Sequence, residues 1–456
     1  MAPDVAAISA VPESKESRKF TWEEVAQHNR PESLWFTVRG KVYDLTNFAK
    51  RHPGGQDILR AAAGRDVTQT FEVYHDLAVK DRLKKFYIGD LVSDEFPTFP
   101  EPSPFFVTLK NRVKKYFEET KQDPRFAPWM FVRYAVILGT IGLGWYCTYL
   151  SEHFKGKWWA QAGFAVLTGF AQAQTGLMPL HDSSHFAITN KPWVWKLFGS
   201  LHDIVNGTSH LQWLYQHILG HHAYTNIPGA DPDISVQNPD VRRIWEGQTW
   251  LPRYLGQEFV IPPLYGALGT MTRKQDIEIL YVTYMCDKIR SNPVGSLDGI
   301  IFWGGKLFWL WSRVIVPLQL LGLRAVPFIL ISDMVASYWL ALLFQANHVV
   351  GEVEWPLPDP KTNQIERDWA EHQISTSQDY AHGSWFWTVF SGALNYQAVH
   401  HVFANVNQYY YPEIAPIVLK TCEEFGVKYH HKATAFEAVM SHLIHLRKLG
   451  KKPKVV

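Results

Sequence analysis

The chain has 456 residues, a formal net charge of only +2 and 46% hydrophobic residues. The near-neutral charge does not indicate a nucleic-acid surface, and three scattered cysteines indicate neither a disulfide framework nor a CxxC metal site. The aromatic content of 14%, with 19 tryptophans, suits a protein at a membrane–water interface, where amphipathic rings concentrate.

Four regions are predicted in chain order. Residues 1–17 are polar and rich in Ala and Ser, which predicts a disordered lead without the apolar core of a cleavable signal peptide. Residues 18–92 have the pattern of a small α+β domain. Residues 93–104 carry four prolines and predict a semi-extended linker that tethers the small domain without fixing it. Residues 105–450 make up the remaining, membrane-embedded region.

The small domain contains two histidines that suit haem. The turn His52-Pro53-Gly54-Gly55 places an imidazole where glycines let the backbone approach a flat ligand closely. His75 follows 23 residues later, across a predicted helix. Two histidines that converge on one pocket suit a six-coordinate haem, which transfers electrons and has no free position for O2; a surface turn beside an unrelated histidine is the simpler alternative. The segment resembles cytochrome b5, which implies haem b with His52 and His75 as axial ligands.

Four apolar runs approach the roughly 20 residues that a helix needs to cross a bilayer. They are Phe131–Leu150, Trp158–Leu180, Ile300–Leu323 and Ala325–Val349. The third is the least clear, because Lys306 and Arg313 lie within it and must snorkel or face the protein interior. Ahead of these runs, Phe105–Thr120 predicts a basic amphipathic helix suited to a membrane surface.

Further histidines form three tight groups, each just beyond an apolar run. The groups are His181 and His185 in HDSSH, His217, His221 and His222 in HILGHH, and Gln397, His400 and His401 in QAVHH. Residues four apart share one helix face, so each group presents its side chains together. Imidazole is a preferred ligand of iron, copper and zinc, and these histidines exceed the demand of one metal. His348 ends the fourth run and is a further candidate ligand, since a buried polar side chain there is costly unless it functions.

Iron suits this site better than zinc. Removing hydrogen from an unactivated methylene requires an oxidant made from O2, and zinc has no redox chemistry. Asp182, Asp231 and Asp233 are candidates to orient the imidazoles from behind. A tethered haem can supply the electrons one at a time, and an external reductase must reload it because the chain has no credible nicotinamide or flavin site.

The predicted topology brings the histidine groups to one side of the membrane. If the small domain is cytosolic, four crossings return all three groups and both termini to the cytosolic face. The segments rich in Lys and Arg before Phe131, and between Arg242 and Arg290, agree with that orientation. The predicted fold class is therefore an α-helical membrane protein with four transmembrane helices, preceded by a small α+β domain.

With HPGG, HDSSH, HILGHH and QAVHH in this order, residues 18–450 resemble the front-end acyl desaturases, which are membrane di-iron enzymes fused to a cytochrome b5 domain. The resemblance implies two iron ions held by the histidines of the three groups, with His348 as an additional ligand and Gln397 at or beside the metal. It implies a cis double bond placed between an existing one and the carboxyl end of a polyunsaturated acyl chain. O2, NADH-cytochrome b5 reductase and an acyl lipid or acyl-CoA are the implied partners, and the endoplasmic reticulum membrane is the implied location.

The stretches GHHAYTNIPGADPD, FQANHVV and NYQAVHH are most similar to microbial delta-5 desaturases. One departure is that the third group usually continues as Leu-Phe-Pro, whereas here Val402-Phe403-Ala404 follows. Delta-6, delta-8 or sphingolipid specificity stays open, because spacing does not reveal the shape of an acyl tunnel. A cytochrome b5-fused fatty acid hydroxylase is disfavoured by Gln397 and the group spacings. A non-catalytic membrane haem carrier would leave the three histidine groups without a role.

Overall fold

The computed structural model describes residues 17–76 and 79–453. The predicted lead, residues 1–17, therefore lies outside the described residues except for Ser17. Within the described chain, a small domain with a sheet and short helices precedes a mostly helical body.

The small domain is built on a six-stranded sheet in the order β1-β6-β4-β3-β2, with β5 beside β3. Its strands are β1 (Lys19–Phe20), β2 (Asn29–Arg30), β3 (Ser33–Val38), β4 (Lys41–Asp44), β5 (Arg65–Asp66) and β6 (Tyr87–Leu91). Its helices are α1 (Trp22–Gln27), α2 (Gln56–Ala62), α3 (Thr68–Tyr74) and α4 (Lys80–Leu83). A capping box between Thr21 and Glu24 begins α1.

The turn before α2 requires glycine at two positions. Gly55 has a φ of +80°, a conformation that residues with a Cβ rarely adopt. A Cβ on Gly54 would lie 2.8 Å from the ring of His52. The two glycines therefore let the His52 ring fold back over its own turn, and His75 directly follows the end of α3.

The proline-rich linker is extended, but it is held at several points, which differs from the expectation of a free tether. Thr98 pairs with the body through backbone bonds to Asn363 and Ile365. On its other side, the Arg39 guanidinium donates to the carbonyls of Phe99 and Pro100 at 2.7 and 2.8 Å. Prolines prevent a helix here, but they leave the carbonyls free to accept hydrogen bonds, and these fix the path of the linker.

The body consists of helices joined by loops, with two small strand pairs. The helices are α5 (Pro104–Thr120), α6 (Pro128–Tyr149), α7 (Trp158–Thr175), α8 (His181–Ser184), α9 (Pro192–Asn206), α10 (His210–Trp213), α11 (His222–Tyr224), α12 (Gln257–Leu264), α13 (Leu268–Ile277), α14 (Ser296–Leu310), α15 (Val316–Leu321), α16 (Val326–His348), α17 (Trp369–Ser375), α18 (Trp385–Phe390), α19 (Gln397–Val402), α20 (Tyr411–Phe425) and α21 (Ala435–Gly450). The strand pairs are β7 (Met285–Cys286) with β8 (Ile289–Arg290), and β9 (Gln378–Tyr380) with β10 (His430–Lys432).

Helix α5 buries its apolar face against protein rather than presenting it to a membrane surface. Phe106 packs against Trp369 of α17, with ring centroids 5.9 Å apart. Arg112 donates to Thr421 of α20 at 2.9 Å and pairs with Glu424. The amphipathic pattern was recognised correctly, but periodicity alone does not say what covers the apolar face.

Glycines bring the three long helices α6, α7 and α16 close together. A Cβ on Gly144 of α6 would lie 2.3 Å from the Thr168 hydroxyl of α7. A Cβ on Gly169 of α7 would lie 2.3 Å from the Ser332 carbonyl of α16. Small residues at such contacts let helix backbones approach closely, as in membrane helix pairs.

Two helical stretches, Pro128–Tyr149 and Ser296–His348, are long and apolar enough to cross a membrane. They contain the first, third and fourth predicted runs. The second run is helical, as α7 and a π-helical continuation Gly176–Leu180, but it does not meet the same criteria. The long stretch is interrupted at Gly322, where φ of 57° and ψ of −146° leave the helical region between α15 and α16. The helices of the predicted runs are thus present, while a four-span arrangement stays a prediction.

Lys306, which lies within the third predicted apolar run, faces the protein interior. Lys306 Nζ lies 2.8 Å from the buried carboxylate of Asp276 and 2.8 Å from the Gly207 carbonyl. A charged group in an apolar environment is tolerated when it is paired and hydrogen-bonded in this way.

Candidate functional site

Irregular helical geometry surrounds two of the histidine groups. The π-helical segment Gly176–Leu180, which contains Pro179, leads into His181 at the start of α8. A second π-helical segment, Leu214–His221, carries two histidines of the next group and passes directly into α11. Single π turns inside α-helices occur frequently at functional sites, because they turn side chains away from the regular helical spacing.

The structure brings the predicted histidines together in one buried cluster. Each of them is at most 6% exposed. Sets whose ligand atoms lie within 4.8 Å of one another are His181, His185, His217 and His400, then His221, His348 and His401, and also His222, His400 and His401. Four separate segments of the chain therefore supply three sets of imidazoles, and the third set shares His400 with the first and His401 with the second.

The imidazoles are oriented by hydrogen bonds at Nδ1, on the side away from the cluster. The Nδ1 partners are Tyr74 for His185, Asp233 for His217, Asp231 for His221, the Thr376 carbonyl for His348, Tyr411 for His400 and Gln373 for His401. Bonds of this kind select the tautomer whose Nε2 lone pair is free for a metal. These Nδ1 partners hold six of the eight rings with Nε2 directed into the cluster.

The inward nitrogens fit metal ions better than they fit one another. Nε2 of His181 and Nε2 of His185 are buried without a hydrogen-bond partner. Nε2 of His222 lies 3.2 Å from Nε2 of His217 and 3.1 Å from Nε2 of His400. Two nitrogens at right angles on one metal, each about 2.1 Å from it, would lie about 3 Å apart. The donor set therefore matches a metal-bound arrangement.

Burial disfavours the charged form of these rings, and His221 is the exception in its net pKa. Burial lowers the pKa of His181 to about 3, and it lowers the pKa of His185 and His400 well below the usual value, with neighbouring imidazoles adding to the effect for the last two. At His221 burial also lowers the pKa, but the carboxylates of Asp231 and Asp233 outweigh it, and the net pKa is raised. Neutral imidazoles are the form that binds a metal.

Two of the three aspartates proposed to orient imidazoles make that contact. Asp233 lies 2.7 Å from Nδ1 of His217, and Asp231 lies 2.9 Å from Nδ1 of His221. The expectation for Asp182 is wrong, because its carboxylate accepts bonds from Tyr134 and Gln408 instead of an imidazole. Asp182 directly follows His181 on a helical turn, so its side chain leaves the helix in another direction.

Gln397, the first residue of the third group, lies beside His348. Its Nε2 is 2.9 Å from Nε2 of His348, and its Oε1 accepts a 2.7 Å bond from Asn347. Gln397 therefore contacts a clustered imidazole, and its place at or beside a metal stays a prediction.

A buried network holds the third group in place. Asp379 accepts a 2.7 Å bond from the backbone N–H of Ala398, at the start of α19. Tyr429 and His382 contact the other oxygen of the same carboxylate. Through Asp379, His382 therefore supports the short helix that carries His400 and His401.

The two histidines of the small domain face each other. The ring centroids of His52 and His75 are 6.1 Å apart. Nδ1 of His52 lies 3.2 Å from the Gly55 carbonyl, and Nδ1 of His75 lies 3.0 Å from the Phe71 carbonyl. Both rings are thereby oriented with Nε2 available, and burial lowers the pKa of His75 to about 4. The pair fits a metal held between two imidazoles, as in six-coordinate haem.

The sequence did not reveal several residues that orient the cluster. Tyr411 lies 11 positions from His400 and Gln373 lies 28 positions from His401, and no local pattern marks either residue. Tyr74 lies next to His75 in the chain, but its contact with His185 joins residues 111 positions apart. Such contacts depend on how distant segments pack.

Comparisons with known proteins agree with this geometry. The family model described as "Fatty acid desaturase" matches residues 156–433, and the one described as "Cytochrome b5-like Heme/Steroid binding domain" matches residues 21–92. The chain is 51% identical to "Acyl-lipid (8-3)-desaturase" of Mortierella alpina over 96% of this chain and 99% of that protein. It is 37% identical to "Delta(5) fatty acid desaturase A" of Dictyostelium discoideum, over 96% of this chain and 95% of that protein.

Proposed function

Because the chain belongs to the fatty acid desaturase family and carries an N-terminal cytochrome b5-like domain, we propose that it is a front-end acyl-lipid desaturase with delta-5 specificity. The new cis double bond would lie between an existing one and the carboxyl end of a polyunsaturated chain. Delta-5 specificity is supported by the similarity to "Delta(5) fatty acid desaturase A" of Dictyostelium discoideum. The acyl-lipid carrier is supported by the names of relatives from Mortierella and Dictyostelium.

The observation that carries the proposal is the buried cluster of imidazoles with Nε2 directed inward. We propose that two iron ions bind there. The proposed ligands are His181, His185, His217, His221, His222, His348, His400 and His401, with Gln397 beside them. When bound, the iron pair would supply the O2-derived oxidant that removes hydrogen from an unactivated methylene. The protein's own contribution is to hold the imidazoles neutral, to fix their direction through the Nδ1 partners, and to exclude water by burial.

The cytochrome b5-like domain is proposed to deliver the electrons. His52 and His75 would hold haem b from opposite sides, as their facing rings allow. A six-coordinate haem passes electrons without binding O2, so this domain would supply electrons and leave the O2 chemistry to the histidine cluster. NADH-cytochrome b5 reductase is the proposed external donor.

A membrane location is supported by the apolar helices. Outward-facing residues of α6, such as Val136 and Leu143, are more than half exposed, and so is Leu307 of α14. Apolar surface of this kind on long helices suits lipid contact. We propose four crossings in the endoplasmic reticulum membrane, with the histidine cluster and both termini on the cytosolic side.

The test is expression in a host that makes no polyunsaturated acids but contains a cytochrome b5 reductase. Cells are fed defined twenty-carbon polyunsaturated acids, and double-bond positions are read by mass spectrometry of the lipids. We expect a new double bond at carbon 5. A new bond at another carbon would overturn the delta-5 assignment, and a hydroxylated product would overturn desaturation.

The proposed metal site is tested in the same host with two histidine variants. His401→Ala should abolish the product and lower the non-haem iron content of the purified protein, because His401 lies in two of the clustered sets. His153→Ala is the matched control, since His153 is exposed and far from the cluster in sequence. Unchanged iron in His401→Ala would exclude that residue as a ligand.

A further inference from the structure

We propose that Tyr74 is a positioning residue that links the haem domain to the non-haem metal centre and provides the protein route for electrons between them. The proposal rests on the proposed function, because it needs haem at His75 and iron at His185. The structure supplies the link in one contact. The Tyr74 hydroxyl lies 3.0 Å from Nδ1 of His185, and His75 is the next residue in the chain.

The surroundings of Tyr74 fix its ring against the body. Its ring packs edge-on against Phe186, with centroids 5.2 Å apart. Because Phe186 directly follows His185, the same short segment contacts both the ring and the hydroxyl of Tyr74. The link from His75 to His185 therefore consists of one peptide bond, the tyrosine side chain and one hydrogen bond.

The end of α3 is held where this contact requires it. The Lys110 ammonium of α5 donates to the carbonyls of Glu72 and His75, at 2.6 and 3.1 Å. Lys114, one turn further along α5, pairs with Asp76 at 2.8 Å. Both lysines belong to the body, so the haem-side histidine and Tyr74 are held by the helix that follows the linker.

Tyr74 differs in origin from the other partners of the clustered imidazoles. Within the described residues, the Nδ1 partners of the other proposed ligands all come from the body. They are Asp233, Asp231, the Thr376 carbonyl, Tyr411 and Gln373. Tyr74 alone comes from the haem domain, so docking of that domain completes the hydrogen-bonded surroundings of the metal centre.

The chemistry at Tyr74 is electron passage without proton transfer. The Tyr74 hydroxyl oxygen, 3.0 Å from Nδ1 of His185, can accept from Nδ1–H, and this bond leaves both groups with their protons. With both groups bound, one electron would pass from ferrous haem to ferric non-haem iron, leaving the haem ferric and that iron ferrous. No covalent bond forms or breaks, and the external reductase restores the ferrous haem.

The experiment compares Tyr74→Phe with Tyr411→Phe in the full-length protein. Each variant removes one hydroxyl from Nδ1 of a proposed iron ligand, but Tyr411 belongs to the body and its hydroxyl contacts His400. Both variants are loaded with iron to the wild-type content. The haem is reduced by a light flash under anaerobic conditions with the non-haem iron ferric, and its reoxidation is followed by absorbance. Iron-free wild-type protein gives the background rate.

We expect Tyr74→Phe to lose most of the iron-dependent haem reoxidation that Tyr411→Phe keeps at equal haem and iron contents, because only Tyr74 bonds the haem domain to one of these imidazoles. Equal rates in the two variants would overturn the proposal. So would a Tyr74→Phe protein that cannot be loaded with iron, since the hydroxyl would then serve iron binding alone. If wild-type haem reoxidises no faster with iron than without it, the proposed electron transfer from haem to iron is wrong. That result contradicts the proposed function, whereas equal rates in the two variants contradict only the role of Tyr74.

Discussion

At the scale of single residues, the carboxylates behind the cluster show how an imidazole is held in one direction. Asp231 accepts from His221 and also from the backbone N–H groups of Asn226 and Asp233. Its side chain therefore organises its own loop and a proposed ligand at once. Both oxygens act as acceptors, which an amide in the same place cannot reproduce because one end of an amide only donates.

Asp231→Asn should consequently lower the affinity for non-haem iron by about 10- to 100-fold, the usual cost of losing an outer partner of a metal-binding histidine. The iron-to-haem ratio after dialysis against a weak chelator measures the effect. Asp240→Asn is the control, because Asp240 lies in the same region of the chain and bonds to the backbone N–H of Gln237 instead of an imidazole. Equal iron retention in the two variants would show that Asp231 has no part in metal binding.

At the scale of helices, the close approach of α7 to α16 depends on one glycine. The atoms that a Cβ on Gly169 would meet are the carbonyl oxygen and Cα of Ser332, at 2.3 and 2.9 Å. These are backbone atoms, which cannot rotate away as a flexible side chain can. Because α16 ends at His348 and α7 leads to His181, their separation affects the cluster as well.

Gly169→Ala should therefore destabilise the protein by about 1–3 kcal/mol, the usual cost of overpacking. Thermal unfolding in detergent, followed by tryptophan fluorescence, should show a lower midpoint. Gly163→Ala is the matched control on the same helix, since a Cβ there meets nothing within 4 Å and alanine favours a helix over glycine. A midpoint for Gly169→Ala equal to that of Gly163→Ala would contradict the close packing.

At the scale of the whole molecule, the small domain is docked on the body by polar contacts as well as by its linker. Asn292 of the body donates to the carbonyls of Arg60, Ala61 and Ala63, at 2.7, 3.2 and 2.9 Å. The Arg65 guanidinium donates to the Arg290 carbonyl at 2.6 Å. The bonds from Asn292 satisfy carbonyls at the end of α2 that the helix itself leaves unpaired.

Asn292→Ala should loosen the docked domain, because unsatisfied buried carbonyls cost about 1–3 kcal/mol. Hydrogen exchange of residues 56–63 should be faster, while the haem content stays unchanged because Asn292 does not contact His52 or His75. Asn190→Ala serves as the control, since Asn190 is exposed and bonds to the surface residues Asp123 and Arg125. Identical exchange in the two variants would refute the anchoring role.

The sequence by itself determined the chemistry of the two proposed centres and the order of the parts. Spacings such as His181 to His185 and the HPGG turn act over a few residues, and short-range geometry follows directly from the chain. The helices of the apolar runs and the α+β domain were recognisable for the same reason, because hydrophobic periodicity is also local.

Only the tertiary structure decided which groups stand behind the imidazoles and how the domains are joined. The contact of Tyr74 with His185, the partnership of Asp182 with Tyr134, and the fixed path of the linker all join residues far apart in the chain. The same holds for α5, whose apolar face contacts protein rather than a membrane surface. The free energy of such contacts depends on burial and on the packing of distant segments, and a local pattern contains neither.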